Sequence, residues 1–241
     1  MKVITDTSQA MLDHLELLIN VSFCCDPDGR LRAVNEPEKP PAPRFYMVRT
    51  AVGNHWRFRY DLPAATIDQL DRLCQAEPPS ADFARPPQQS TAIKAVLAAH
   101  APLQEEYRGP AYWVPPGLER PANVVPITAT NAHLLQPLFP WVLPLPQPPR
   151  RGALVATIVQ EMAVALCYCA RIPDQVTRAG VETAEAFRGH GYATAAVTGW
   201  AAEVRRLGLI PLYGTTWENL ASQRIAQKLG MVLYGEDWSI A

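Results

Sequence analysis

The residues whose types and spacing could do chemistry lie in the last third of the chain. In Val181-Glu182-Thr183-Ala184-Glu185-Ala186-Phe187-Arg188-Gly189-His190-Gly191-Tyr192-Ala193 an expected strand passes through a glycine-bearing turn into the start of a long helix. Glycines at 189 and 191 let the backbone turn without Cβ clashes, so successive N–H groups and the free donors of the helix's first turn can converge on an anion such as a pyrophosphate. The helix dipole adds to that attraction. A plain tight turn uses two glycines at i and i+2 in the same way, and these residues alone leave both readings open. Other phosphate motifs fit no better. There is no G-x-x-x-x-G-K-[ST] run, and Thr194 stands where a dinucleotide fingerprint needs its third glycine.

Other chemistry-bearing groups are sparser. The five cysteines include Cys24-Cys25 and Cys167-x-Cys169, which lack the C-x-x-C spacing of a zinc or redox site. They read as reduced thiols, and since His14, His55, His100 and His133 show no ligand spacing either, no metal site is expected. Trp56-Arg57-Phe58-Arg59-Tyr60 has the composition of a nucleic-acid strip, but strand alternation puts its rings on one face and both arginines on the other. With 22 basic against 23 acidic residues and a net charge of −1, no electrostatic argument favours nucleic acid or an anionic membrane. Polar residues such as Asp6, Asp13 and Glu16 interrupt the N-terminal apolar run before it could serve as a signal core or a membrane span. The protein is expected to be cytoplasmic.

The elements that must position the glycine turn follow from periodicity. Of the 24 prolines, 21 lie between Pro37 and Pro149, a shift in style of the kind that marks an architectural boundary. Residues 1–120 read as an α+β accessory region: a helix over Met11–Ile19, a hairpin of Phe45–Thr50 and Trp56–Tyr60 around Gly53-Asn54, and helices over Ala64–Cys74 and Ser90–His100. Within 121–241, Val124-Val125 is a first strand and Thr130–Leu138 a short helix, followed by a proline-rich loop from Pro137 to Pro149. Ala153–Val159 and Ala163–Cys169 are adjacent antiparallel strands, and Gln175–Thr183 is a third. Ala193, Ala196, Val197, Trp200, Val204 and Leu207 form a buried helix stripe that Gly208 ends. Ile210–Trp217 is strand-like, Asn219 caps a last helix that Gly230 stops, and a final strand runs from Met231 towards Ile240.

Arg188-Gly189-His190-Gly191-Tyr192-Ala193 resembles the R-x-x-G-x-G/A coenzyme A loop of the GNAT acyltransferases. A second block, Trp217-Glu218-Asn219-Leu220-Ala221-Ser222 followed by Lys228-Leu229-Gly230-Met231, is similar to that family's later strand, Asn-led helix and K-x-G-F ending, with Met231 in place of the aromatic residue. The resemblance runs from about Asn123 to Ala241. It implies an α/β (α+β) fold with a mixed, mostly antiparallel central sheet, and acetyl-CoA as co-substrate. The backbone of Val181 and Thr183 would pair with the pantetheine arm, the segment Gly189, His190, Gly191, Tyr192 and Ala193 would hold the pyrophosphate with Arg188 opening the loop, and Asn219 and Ser222 would reach the cofactor from the last helix. Asn219 can also be a plain helix cap.

The reaction the resemblance implies is direct attack of a neutral amine on the thioester carbonyl, which needs a base, oxyanion stabilisation and a proton for the departing thiolate. Ala226 stands where the family carries a tyrosine acid, and Thr177 where some members carry a glutamate. Glu182, on the strand expected to lie beside the thioester, is therefore the first candidate base, ahead of Glu161, Glu185 and His190. Tyr213 or Tyr234 could supply the acid. The expected function is N-acetylation of a primary amine on a small molecule or peptide. A non-catalytic acyl-CoA sensor is the alternative, and the chain leaves a homodimer open.

Overall fold

The computed structural model describes residues 7–145, 152–172 and 174–241, with side chains from Leu15 onward. In chain order it comprises α1 (Thr7–Ser22), β1 (Phe23–Cys25), β2 (Leu31–Val34), β3 (Phe45–Thr50), β4 (Asn54–Phe58), α2 (Ala64–Ala76), α3 (Ser90–His100), β5 (Glu106–Trp113), β6 (Val124–Pro126), β7 (Leu154–Val159), β8 (Met162–Cys169), β9 (Val176–Thr183), α4 (Tyr192–Arg206), β10 (Ile210–Gly214), α5 (Leu220–Lys228) and β11 (Val232–Ile240). The fold is mixed α+β with mostly antiparallel strands, as expected. Among the described residues no helix is long and apolar enough to cross a membrane.

Contacts divide the molecule into two compact units that are not consecutive segments. The first comprises Met1–Ala111, Thr215–Glu218 and Leu233–Ala241; the second comprises Tyr112–Gly214 and Asn219–Val232. The sequence reading draws a single line near residue 120, whereas the structure returns two late stretches to the first unit. The physical reason is strand pairing: β11 runs antiparallel to β3, from Gly235 opposite Thr50 to Ile240 opposite Phe45. Its hydrogen-bond partners are thus almost two hundred positions upstream.

In the first unit the strand order is β4-β3-β11-β5. The expected hairpin forms with Phe45 opposite Phe58 and Arg49 opposite Asn54. One face of this sheet meets α2 and α3 in a core of Phe45, Met47, Phe58, Leu70, Ile93, Leu97 and Trp238. Trp56 packs against that core and donates its indole N–H to Asp71, but Tyr60 is half exposed under the Arg32 guanidinium, so the expected apolar face ends at Phe58. Arg57 and Arg59 are committed to ion pairs with Glu16 and Asp61. Three strands escape the sequence reading: β1 and β2, which are only three and four residues long, and β5, whose Arg108-Gly109-Pro110 centre has neither alternation nor β-branched residues.

In the second unit the order is β10-β9-β8-β7-β6. The β7–β8 hairpin turns through Gln160 and Glu161, both at positive φ, and Met162 belongs to the strand rather than the turn. Side-chain alternation gives β8 and β9 two distinct faces. Odd-numbered residues Ala165, Cys167, Ala179 and Val181 join the core under α4, with Val197, Trp200, Ala201 and Val204. Even-numbered Leu166 joins a second cluster with Ile127, Leu135 and Phe139. The short helix expected over Thr130–Leu138 is a single 3₁₀ turn, Ala132–Leu135, and another covers Pro140–Val142. Of the proline-rich loop, 146–149 lie outside the described residues, as do Arg150 and Arg151.

Arg205 and Arg206, at the end of α4, are placed differently. Arg206 is exposed and pairs with Glu203, but Arg205 is half-buried and donates to the Val114 carbonyl oxygen at 2.7 Å.

Candidate active site

The second unit contains the expected strand, turn and helix. Strand β10 runs parallel to β9, but only over Ile210–Leu212 opposite Val176–Arg178. Beyond Arg178, β9 continues for five residues paired to β8 alone, with Ala179 opposite Cys169 and Thr183 opposite Ala165. The Ala170 N–H donates to the Arg178 carbonyl at 2.8 Å, and the Ala184 N–H to the Val164 carbonyl at 3.0 Å. Antiparallel pairing alternates, so even positions of β9 direct their backbone groups to β8 and odd positions direct theirs to the other edge. Ala179, Val181 and Thr183 therefore point their N–H and C=O groups away from β8, along the stretch where the β10 ladder has ended. An extended chain carrying amides could add to this edge as a strand would.

The edge leads into the glycine turn. Gly189 (φ +82°) and Gly191 (φ +85°) both take the left-handed conformation that other residues adopt at a cost, and a Cβ at either would meet nothing within 4 Å. Packing does not require these glycines; the backbone course does, and the space beside it is open. Gly191 is the N-cap of α4 and supplies no side-chain acceptor, so first-turn donors of that helix have no side-chain cap. The first turn is tied to β7, where the buried Thr157 hydroxyl donates to the Tyr192 carbonyl at 3.0 Å. Arg188 and His190 are exposed; a His190 ring nitrogen, Nδ1, lies 2.9 Å from the Arg188 carbonyl oxygen, and its ring stacks on Tyr192 with centroids 5.7 Å apart.

At α5 the arrangement differs. Asn219 is a working cap, its Oδ1 accepting the Ser222 N–H at 3.0 Å. Ser222 itself is turned inward, with its hydroxyl 2.6 Å from the Tyr213 phenol oxygen. Tyr213 is 2% exposed in the core beneath α4, and burial pushes its pKa up to about 12, against a smaller opposing effect of the Ser222 hydrogen bond.

The two residues expected to move protons are not brought together. Tyr213 lies on the α4 face of the sheet, whereas Glu182 is an even position of β9, on the face shared with Leu166, its cross-strand partner. Alternation separates them. Thr177 and Ala226, which stand where the family's glutamate and tyrosine would be, are buried at 0% and 1% exposure. What the sequence reading missed is Tyr168 on β8, whose hydroxyl donates to Glu182 Oε1 at 3.1 Å. Its place on the Leu166 face follows from alternation along β8, but nothing local shows which β9 residue lies beside it.

Residues 145–232 match the family model for the acetyltransferase (GNAT) domain. No curated protein matches the chain. Among solved structures, a protein from Novosphingobium aromaticivorans assigned to the GNAT family is similar at 14% identity and a TM-score of 0.45, covering 57% of this chain and 65% of that one. A GCN5-related N-acetyltransferase from Kribbella flavida shares 20% identity at a TM-score of 0.44, covering 64% and 63%. A GCN5-related N-acetyltransferase-like protein from Streptococcus suis shares 14% at 0.45, covering 83% and 85%. The chain thus spans just under two thirds of the length of the first two. The domain match encloses β7 to α5, including the open edge and the glycine turn, and the chain carries a GNAT acetyltransferase domain over residues 145–232.

Proposed function

We propose that this protein transfers an acetyl group from acetyl-CoA to a primary amine. The observation that carries the reading is the continuity of two binding features in one segment: the strand edge at Ala179, Val181 and Thr183, and the uncapped helix start behind Gly189 and Gly191. An extended amide-bearing arm followed by a pyrophosphate has that same order of chemical groups. Val181 and Thr183 would receive the arm, and the backbone from Gly189 to Ala193 the pyrophosphate, with Arg188 and His190 beside it. Asn219 is the cap of α5 and contributes by orienting that helix.

The amine must lose a proton to attack the thioester carbonyl, and Glu182, on the same strand as the open edge, is the carboxylate proposed to take it. The C–N bond forms as the C–S bond breaks, and the thiolate leaves with a proton. Tyr213 stays protonated at neutral pH but is enclosed with Ser222, which argues against it as the donor and favours water. The acceptor is proposed to be a small molecule or peptide amine, met in the cytoplasm, with residues 1–120 serving as the accessory region.

The test is acetyl-CoA binding followed by turnover. At 100 times its dissociation constant the ligand adds about 2.7 kcal/mol to stability, which appears as a raised melting temperature. No shift at millimolar acetyl-CoA removes the reading. Binding without thiol release, over a panel of amines, makes the protein an acyl-CoA sensor, the second reading that the buried Ala226 and Thr177 favour.

A further inference from the structure

Tyr168 and Glu182 sit diagonally across neighbouring strands, since Tyr168 is opposite Gly180 and Leu166 is opposite Glu182. A tyrosine ring can span such a diagonal only by lying across the residue in front of it. Gly180 makes that possible. A Cβ there would fall 2.6 Å from Tyr168 Cε2 and 2.7 Å from Cζ, closer than real Cβ atoms come, so only glycine leaves the ring its place. Gly180 has no positive φ to explain it, and the three atoms nearest to the missing Cβ all belong to the Tyr168 side chain. Three residues on two strands thus combine to put one hydroxyl on one carboxylate oxygen, on the sheet face away from α4 and beside the edge that β10 leaves open.

We propose that Tyr168 is a positioning residue for the acetyl-transfer step, holding Glu182 through Oε1 so that Oε2 is presented to the ammonium group of the acceptor. This rests on the reading of Glu182 as the base. The ammonium first gives a proton to Oε2, and the freed lone pair then attacks the thioester carbonyl so that the C–N bond forms and the C–S bond breaks. The departing thiolate takes a proton from water, and the Tyr168 hydroxyl keeps its own proton throughout. Oriented carboxylates act faster because a base must lie within hydrogen-bond reach of the proton it removes. Gly180 is part of the same device, as the residue that admits the ring.

The experiment measures thiol release from acetyl-CoA by the full chain with a panel of primary amines: an alkyl diamine, lysine and an alanyl peptide. Variants Tyr168→Phe, Gly180→Ala, Glu182→Gln and the double variant Tyr168→Phe/Glu182→Gln are compared. Glu182→Gln is expected to lower kcat by about 10²- to 10⁴-fold, and Tyr168→Phe by about tenfold, the change that 1.36 kcal/mol of lost barrier stabilisation makes. KM for acetyl-CoA should not change in either. The double variant should be no slower than Glu182→Gln, because a group that acts only through the carboxylate has nothing left to orient. Gly180→Ala should reproduce the Tyr168→Phe loss with the hydroxyl retained. A merely structural tyrosine would instead slow the Glu182→Gln background further, and such multiplicative losses overturn the proposal, as does an unchanged kcat in Tyr168→Phe. If Glu182→Gln keeps full rate, the base reading falls and takes this one with it. If the unaltered protein releases no thiol with any amine, the proposed function itself has failed.

Discussion

In the first unit, Glu236 is fully buried and both of its oxygens are taken. Arg49 reaches Oε2 at 2.6 Å, while Arg108 and the Trp217 indole reach Oε1 at 2.6 and 2.7 Å. Arg49 also faces Glu77, whose carboxylate accepts the N–H groups of Gln88 and Gln89. In the second unit the polar groups of interest are treated in the opposite way. The edge of β9 past Arg178 has no β10 partner, and α4 starts on a glycine that offers no cap. Buried carboxylates whose oxygens are all taken up by the chain serve architecture, because desolvation makes a missing partner costly. Backbone donors and acceptors left at an open edge are cheap only while water reaches them, and a ligand can replace that water. Strong ionic groups therefore mark the frame of this protein, and the least decorated backbone marks its proposed site.

The sharpest way to break that comparison is to remove the frame. A fragment of residues 123–241 keeps β11 but loses β3, and leaves Glu236 without Arg49 and Arg108 and Trp238 without Phe45, whose ring it meets at 4.8 Å. The expected result is an insoluble or aggregated chain in gel filtration, and a soluble monomer with full turnover would show that the first unit is an appendage. A gentler cut is Arg49→Ala, which strips the buried Glu236 Oε2 of its partner while Arg108 and Trp217 still hold Oε1. It should cost roughly 3 to 5 kcal/mol in denaturant unfolding, while the fraction that remains folded binds acetyl-CoA as before.

The open side of the comparison is sharpened at Gly191. Its φ of +85° strains most side chains, but asparagine tolerates that region, so Gly191→Asn serves as the neutral control for Gly191→Asp. The aspartate should abolish the acetyl-CoA melting shift and the asparagine should keep part of it; equal shifts would make the loop a turn and no more. The smallest expected effect concerns Tyr213. Its raised pKa means that the folded protein holds the phenol proton more tightly than the unfolded chain does. That stability is whole below about pH 10, the ordinary tyrosine value, and is lost as pH rises towards about 12. Melting temperatures between those values should fall more steeply for the native protein than for Tyr213→Phe.

Much of this was legible locally. The helix spanning Ser90–His100 was located by its spacing alone, and α4 and α5 by apolar stripes ending at glycine, because helix signals lie within a few turns of chain. The succession of a strand, two glycines and a helix start was legible too, since contiguous residues cannot be separated by folding. Asn219 as a cap was likewise readable from its position before the helix. Pairings between distant residues were not. That β11 belongs beside β3, that Tyr213 points into the core with Ser222, and that Tyr168 meets Glu182 all depend on strand order and register. Register is set by which long-range ladders form and by which face of each strand finds a core to enter. A shift of one residue between β8 and β9 would leave every local signal unchanged while sending the Tyr168 ring to a different neighbour. The sequence determined that a strand, a glycine-bearing turn and a helix start follow one another here, and the tertiary structure decided which side chains stand around them, because only packing selects a single register.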